Sequence, residues 1–398
     1  MKHVDAFRDQ ALAARLAARI AAAVDPARTY RFMEFCGGHT HAIARFGLAD
    51  LLPPNVRLIH GPGCPVCVLP IGRIDQAIRA ALEHRVILAT YGDLMRVPAS
   101  AGLSLLRAKA RGADVRMVWS AADALALARA HPDREVVFLA IGFETTTPPT
   151  ALAIRAAADP AGGVGNFSVL CNHVLTPPAI AGVLGDPGAR VPGNGAIDGL
   201  IGPAHVSVVI GTRPYEPLAR RHRTPVVVTG FEPLDLLQAV SMLVRQVGDG
   251  RAQVENEFTR AVTRDGNRIA QQVTDAVFEP RERFAMRGLG EVAGGGLRIR
   301  PAFAALDAER RFALEDRSVP DPPKCECPAV LRGTKSPADC RLFGTACTPQ
   351  TPLGACMVSS EGSCAAHWTY GRFRHPGPQA AAGAGSGAAA AADRQAGA

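Results

Sequence analysis

The chain has 398 residues, 47% of them hydrophobic and 20% charged, which is typical of a globular protein with room for two or three domains. Its net charge is +8, but the basic residues form no run of five or more and are not interleaved with aromatic side chains. We therefore expect no nucleic-acid partner and no membrane partner. No stretch reaches about 18 uninterrupted apolar residues, so no membrane span is predicted.

The first 24 residues are apolar at helical spacing, but charged side chains, including Asp5 and Asp9, interrupt the apolar positions. This pattern predicts an amphipathic helix and lacks the continuous apolar core of a signal peptide. A cytoplasmic location is therefore expected.

Short apolar runs then alternate with helix-like segments, which indicates α/β architecture with parallel sheets. The predicted strands fall into two groups of four, which suggests two α/β halves. They cover residues 31–35, 56–59, 86–90 and 115–119, and then 136–141, 168–170, 206–210 and 226–229.

After residue 234 the pattern changes to two predicted helices, 234–247 and 252–277, of which the second is interrupted at Gly266. A glycine-rich loop at 288–296 and a cysteine-rich segment follow. The last stretch, 376–398, is almost entirely Pro, Ala and Gly, so a disordered tail is predicted. The predicted domains are 1–120, 121–235 and 236–375, followed by the tail.

Unusual polar residues follow the predicted strands. In open parallel sheets ligands bind beyond the carboxyl ends of the strands, so a cleft between the two halves is the expected active site. The segments concerned are Cys36-Gly-Gly-His39-Thr-His41, 60–67, 91–93, 142–147, 171–173, 203–207 and 230–235.

Cys36 is a candidate reactive thiol. Two glycines follow it, and a helix beginning there would lower the thiol pKa and favour the thiolate, a soft ligand for iron. His39 could orient that thiolate or move protons. The alternative is a buried free cysteine beside a glycine turn.

Cys64 and Cys67 form a C-x-x-C pair, which can close a disulfide or share a metal. Structural zinc is disfavoured because a second pair is absent at suitable spacing. We favour a redox dithiol, and an inert reduced pair is the alternative.

Other residues at the strand ends have two alternative interpretations. Glu144 and Glu232 are either acid–base groups or carboxylates that cap a helix, and His205 has the same ambiguity. Cys171, at the end of a predicted strand, is expected to be a small buried core residue.

Ten cysteines in a chain without an export signal predict metal binding or redox chemistry. A [4Fe–4S] cluster needs four thiolates and accepts irregular spacing, which leaves two over as a disulfide or dithiol. Zinc is the second choice. Six of the ten lie within forty residues: Cys325, Cys327, Cys340, Cys347, Cys356 and Cys364.

These motifs, in this order, resemble the signature of the HypD family, and they span residues ~30 to ~375. The resemblance implies two Rossmann-like α/β domains facing a cleft and a helical, loop-rich C-terminal domain that holds a [4Fe–4S] cluster. It assigns the cluster to Cys325, Cys340, Cys347 and Cys364, with Cys327 and Cys356 as an auxiliary pair.

The resemblance also implies a role in assembling the Fe(CN)2CO unit of [NiFe]-hydrogenases. Cys36 would bind the iron together with the partner HypC, and HypE would deliver cyanide. Cys64 and Cys67 would be redox active, His39 and Glu144 would assist proton transfer, and the hydrogenase large subunit would receive the product. A free-standing iron–sulfur disulfide reductase is the alternative function.

Overall fold

The computed structural model describes residues 6–185 and 197–371. The predicted tail at 376–398 lies outside these residues. Among the helices described, none is long and apolar enough to cross a membrane.

The first sheet is parallel throughout, with strand order β2-β1-β7-β8-β9. Its strands are β1 (Tyr30–Glu34), β2 (Val56–His60), β7 (Gly199–Pro203), β8 (Val226–Thr229) and β9 (Val254–Asn256).

The second sheet is also parallel, with order β4-β3-β5-β6. Its strands are β3 (Ile87–Thr90), β4 (Val115–Met117), β5 (Val136–Gly142) and β6 (Phe167–His173). β5 and β6 are buried at every position, since helices cover both faces of such a sheet.

Helices connect these strands and continue beyond them. They are α1 (Gln10–Ala23), α2 (Gly37–Phe46), α3 (Pro65–Val68), α4 (Ile71–Glu83), α5 (Leu105–Ala110), α6 (Ala121–Ala130), α7 (Thr147–Ala157), α8 (Thr176–Leu184), α9 (Ala204–Ile210), α10 (Glu216–His222), α11 (Pro233–Gly248), α12 (Arg268–Val277), α13 (Ala308–Arg311), α14 (Cys327–Leu331) and α15 (Ser363–Ala366).

Two small antiparallel pairs follow the sheets. β10 (Phe278–Pro280) pairs with β13 (Leu297–Ile299), and β11 (Arg283–Met286) forms a hairpin with β12 (Gly290–Ala293). The cysteine-rich segment that comes next consists of short helical turns and loops.

The α/β class with two parallel, Rossmann-like sheets is confirmed, but the grouping of strands into consecutive halves was wrong. The chain leaves the first sheet after β2, builds the whole second sheet, and returns for β7, β8 and β9. Each sheet therefore takes strands from both of the ranges 1–120 and 121–235, which remain a prediction as domain boundaries.

Three local predictions were also wrong. Residues 206–210 lie in α9, where Ala204, Val206 and Ser207 are buried at helical spacing. Within 252–277 the chain forms β9 before it reaches α12, and Gly266 adopts a φ of 66° between them. The predicted loop at 288–296 contains strand β12.

Candidate functional site

Each sheet has a point where the strand order reverses, and the strand-end motifs lie there. In the first sheet the reversal falls between β1 and β7, which lead into Cys36 and Ala204. In the second it falls between β3 and β5, which lead to Asp93 and Glu144. Ligands of parallel α/β sheets bind at such reversals.

Cys36 occupies the N-cap position of α2, so a helix does begin directly after it. The buried carboxylate of Glu34 supports this turn: its Oε2 accepts from the Cys36 N–H at 2.9 Å, and its Oε1 accepts from Thr40 Oγ1. His60 Nδ1 lies 3.0 Å from the same Oε1. One carboxylate therefore joins the ends of β1 and β2 to the helix that carries the thiol.

The expected lowering of the Cys36 pKa was wrong. The pKa of Cys36 is raised to about 12, mainly by burial and also by the charges of Glu361 and Glu34. Together these effects outweigh the backbone N–H groups of Gly38 and His39, which lower the pKa. Cys36 is only 7% exposed. At neutral pH the side chain is consequently a neutral thiol.

The His39 ring is directed toward the end of β8 and not toward the Cys36 thiol, which the sequence suggested as its partner. Its Nε2 donates to the backbone carbonyls of Thr229 and Gly230, at 3.1 and 3.0 Å, and its ring contacts Phe231. Burial lowers its pKa, so the ring is neutral, and its buried Nδ1 has no hydrogen-bond partner in the part of the chain that the structure describes.

Cys64 and Cys67 form a disulfide with their Cα atoms 5.2 Å apart. Cys64 caps the short helix α3, where its Sγ accepts from the Cys67 N–H at 3.1 Å. The Gly37 N–H donates to the Gly63 carbonyl at 3.1 Å, which places the disulfide loop directly beside Cys36. A side chain at Gly63 would collide with the Cys36 backbone, so only glycine permits this approach.

The cysteine-rich segment packs over the same region. Glu361 presses against Gly37, Ser359 Oγ donates to Asp93 Oδ2 at 2.9 Å, and Tyr370 Oη lies 2.9 Å from His41 Nε2. These contacts join the ends of β1 and β3, which belong to different sheets.

Within this segment the thiols lie close to one another. The Cys327 thiol hydrogen-bonds with those of Cys325, Cys356 and Cys364, and the contact with Cys325 lowers the pKa of Cys325 and raises that of Cys327. Cys347 lies near enough to Cys325 and Cys340 for their charges to raise its pKa, although burial is the larger cause.

A four-iron cluster fits this set of donors. Thiolates are the ligands such clusters take, and Gly354 lines the site: a methyl group there would come within 2.6 Å of the sulfurs of Cys325 and Cys327. Across residues 6–185 and 197–371, no three His, Cys, Asp or Glu side chains are arranged around a single ion. A [4Fe–4S] cluster does not require several side chains around one ion, because each of its four thiolates binds a different iron.

Glu144 is a buried carboxylate that holds the end of β5 against α8. Its Oε1 accepts from the Thr176 N–H and its Oε2 from Thr176 Oγ1, both at 2.8 Å. Burial raises its pKa to about 7 despite these hydrogen bonds. Burial raises the pKa of the Tyr215 phenol, and the charges of Glu144 and Cys36 act in the same direction.

The remaining strand-end residues make contacts of several kinds. Glu232 caps α11 and pairs with Arg8, with 2.5 Å between Oε2 and Nε. The His205 ring lies 4.1 Å from that of Phe231, centroid to centroid. Cys171 is 1% exposed and its thiol donates to the Leu297 carbonyl at 3.4 Å, so the expected core role is confirmed.

Sequence reasoning missed Glu34, Glu361 and Arg287. Glu34 lies in an apolar strand and is buried. Its burial would have marked it as a candidate, but burial is visible only once the neighbouring strands are known. Glu361 lies within the cysteine-rich segment and Arg287 in the β11–β12 hairpin, and each reaches the strand-end motifs only through tertiary packing.

Fold and site together define a class of protein: two parallel α/β sheets with a cysteine-rich segment folded over a thiol at a sheet reversal. The chain belongs to the HypD family, whose model, described as "Hydrogenase formation hypA family", matches residues 11–371. The family predicted from the motifs is therefore confirmed.

Characterised relatives cover nearly the whole chain. Over 374 residues it is 65% identical to the hydrogenase maturation factor HypD of Cupriavidus necator, spanning 94% of this chain and 98% of that protein. The HypD of Rhizobium leguminosarum bv. viciae is 64% identical over 374 residues, with 94% and 97% covered. The HypD of Escherichia coli is 50% identical over 343 residues, with 86% and 90% covered.

Proposed function

We propose that this chain acts in hydrogenase maturation, as the scaffold and redox protein on which the Fe(CN)2CO unit of [NiFe]-hydrogenase is assembled. The observation that carries the proposal is the position of Cys36: it lies beside the Cys64–Cys67 disulfide and beneath the cysteine-rich segment. Family membership supports the same role.

Cys36 is the proposed ligand of the iron under assembly, shared with HypC. Because the pKa of Cys36 is raised to about 12, the thiol releases its proton only when the metal takes the proton's place. The unpartnered Nδ1 of His39 and the carboxyl of Glu144 are the proposed proton acceptors, since the pKa of Glu144 lies near neutrality.

Cyanide delivery from a thiocyanate on HypE needs two electrons, which the reduced Cys64–Cys67 pair can supply. The balanced step converts the thiocyanate and the dithiol into the free HypE thiol, hydrogen cyanide and the Cys64–Cys67 disulfide. The cyanide binds the iron held at Cys36, and the completed unit passes to the hydrogenase large subunit.

Cys325, Cys340, Cys347 and Cys364 are the proposed ligands of a [4Fe–4S] cluster, and Cys327 and Cys356 are the proposed auxiliary pair. When bound, the cluster supplies single electrons, the chemistry that a neighbouring disulfide needs for reduction. The α3 helix, which carries Cys67, packs against the turn that carries Cys356, so both thiol pairs belong to one packed unit.

The test is anaerobic purification together with HypC, followed by infrared spectroscopy of the complex. Bands of iron-bound cyanide and carbon monoxide are expected in the wild type and are expected to disappear in Cys36→Ala, with the cluster spectrum retained. Cys171→Ala, which removes a core thiol, is the matched control and should keep the bands. Infrared bands that persist in Cys36→Ala would contradict the proposal.

A stand-alone disulfide reductase is the alternative, favoured by the Cys64–Cys67 disulfide beside the cysteine-rich segment. It predicts turnover of a dithiol substrate without HypC or HypE, and this turnover would survive Cys36→Ala. Metal analysis separates both from a zinc scaffold, which would contain zinc and no sulfide.

A further inference from the structure

The tip of the β11–β12 hairpin inserts between the disulfide loop and the cysteine-rich segment. The Arg287 N–H donates to the Val68 carbonyl at 2.7 Å, directly after the helix that carries Cys67. Gly288, with a φ of 83°, lies against Pro328, and Arg332 Nη1 donates to the Gly288 carbonyl at 2.7 Å. The hairpin tip is therefore anchored from both sides.

The Arg287 side chain is almost fully buried, with 3% of its surface exposed. Its Nε forms an ion pair with Asp321 Oδ1 at 2.9 Å, but neither Nε nor Nη2, both buried, has a hydrogen-bond partner among the described residues. A buried guanidinium with an unused donor is costly unless an anionic acceptor faces it. Among the described residues, Asp321 and two cysteine thiols lie close enough to Arg287 to interact with its charge.

The charge of Arg287 reaches both of these thiols. They are Cys325, which also contacts Cys327, and Cys356, which lies on the turn that packs against α3. Asp321 opposes it at Cys325, but 26% of the Asp321 side chain is exposed, so solvent screens that carboxylate more than it screens the buried cation.

We propose that Arg287 is a positioning residue that sets the reduction potential of the cluster. Its guanidinium donates to a sulfur of the cluster site and stabilises the additional negative charge of the reduced state. This inference rests on the proposed [4Fe–4S] cluster. Net charge and hydrogen bonds to sulfur are the levers by which a protein sets the potential of such a cluster, and Arg287 supplies both.

The test is a redox titration of the anaerobically purified full chain, followed by electron paramagnetic resonance. Arg287→Gln removes the charge and should lower the ratio of reduced to oxidised cluster about tenfold at a fixed potential, a shift of about 59 mV for a one-electron couple. Arg287→Lys keeps the charge and should show a smaller decrease. Arg332→Gln, which removes the cation anchoring the same hairpin, is the control and should leave the potential unchanged.

An intact cluster with an unchanged potential in Arg287→Gln overturns the inference. If the glutamine variant fails to retain a cluster, Arg287→Lys is titrated instead. A potential below that of the wild type then supports the role, because one ammonium cannot reach both Asp321 and a sulfur, and an unchanged potential refutes it. Wild-type protein without iron and sulfide would refute the cluster itself, which is a separate result.

Discussion

Replacing Glu361 by glutamine should make Cys36 markedly more reactive. Glu361 backs onto Gly37, and its charge is the largest cause, after burial, of the raised pKa of Cys36. With a pKa of about 12, the thiolate fraction at pH 8 is about 10⁻⁴, compared with about a tenth for a thiol with a pKa of 9. Reaction of Cys36 with an alkylating reagent should therefore be about a thousandfold slower than that of an unperturbed thiol.

The size of the Glu361 contribution follows from Coulomb's law. A unit charge in an effective dielectric of about 20 contributes about 1.4 kcal/mol even at about 12 Å, which is one pKa unit. Glu361→Gln should thus lower the Cys36 pKa by about one unit and increase the alkylation rate about tenfold at each pH.

The assay is alkylation with iodoacetamide at several values between pH 7 and 10, quantified for each cysteine by peptide mass spectrometry. In the wild type the logarithm of the Cys36 rate should rise with unit slope across the whole range. Cys171 in the same samples is the internal control, because it is buried apart from Glu361 and should react equally in both proteins. A Cys36 rate that levels off below pH 9, or that is unchanged in the variant, would refute the reasoning.

Two further predictions concern the cysteine-rich segment and the second sheet. Gly354→Ala should reduce the iron and sulfide content, because its methyl group would approach two cysteine sulfurs within 2.6 Å, whereas Gly165→Ala meets nothing within 4 Å and should leave the content unchanged. Glu144→Gln should flatten the pH dependence of stability. Because the pKa of Glu144 is raised from 4.5 to about 7, its contribution is present below pH 4.5 and is lost as the pH rises through 7. That loss is about 3 kcal/mol by pH 8. Urea denaturation followed by circular dichroism should show the variant gaining this amount over the wild type between pH 4.5 and 8, and a pH-independent difference would contradict the assignment.

The strand ends show how far sequence pattern reaches. β1, β2, β5 and β8 lie within one or two residues of their predicted positions, because short apolar runs are local signals. The run at 206–210 has the same composition but forms α9, since its burial follows helical spacing. Composition alone does not distinguish these outcomes.

The candidate site, too, could be predicted from the sequence only in part. The motifs identified Cys36, Cys64, Cys67 and the cysteine-rich segment, because glycine turns and clustered cysteines are visible in one dimension. Their electrostatics were not visible: the sequence suggested a lowered pKa for Cys36, and burial beside Glu34 and Glu361 raises it. The pairing of His39 with the carbonyls after β8 was equally hidden, since those residues lie about 190 positions away.

By itself, the sequence of this protein determined the type of most elements, their order and the motifs at their ends, because these depend on neighbours within a few residues. Only the tertiary structure decided which strands share a sheet and which charges surround Cys36. Crossovers between parallel strands have a minimum length of about a dozen residues but no fixed upper limit, so the return of the chain to β7 after the whole second sheet leaves no local trace.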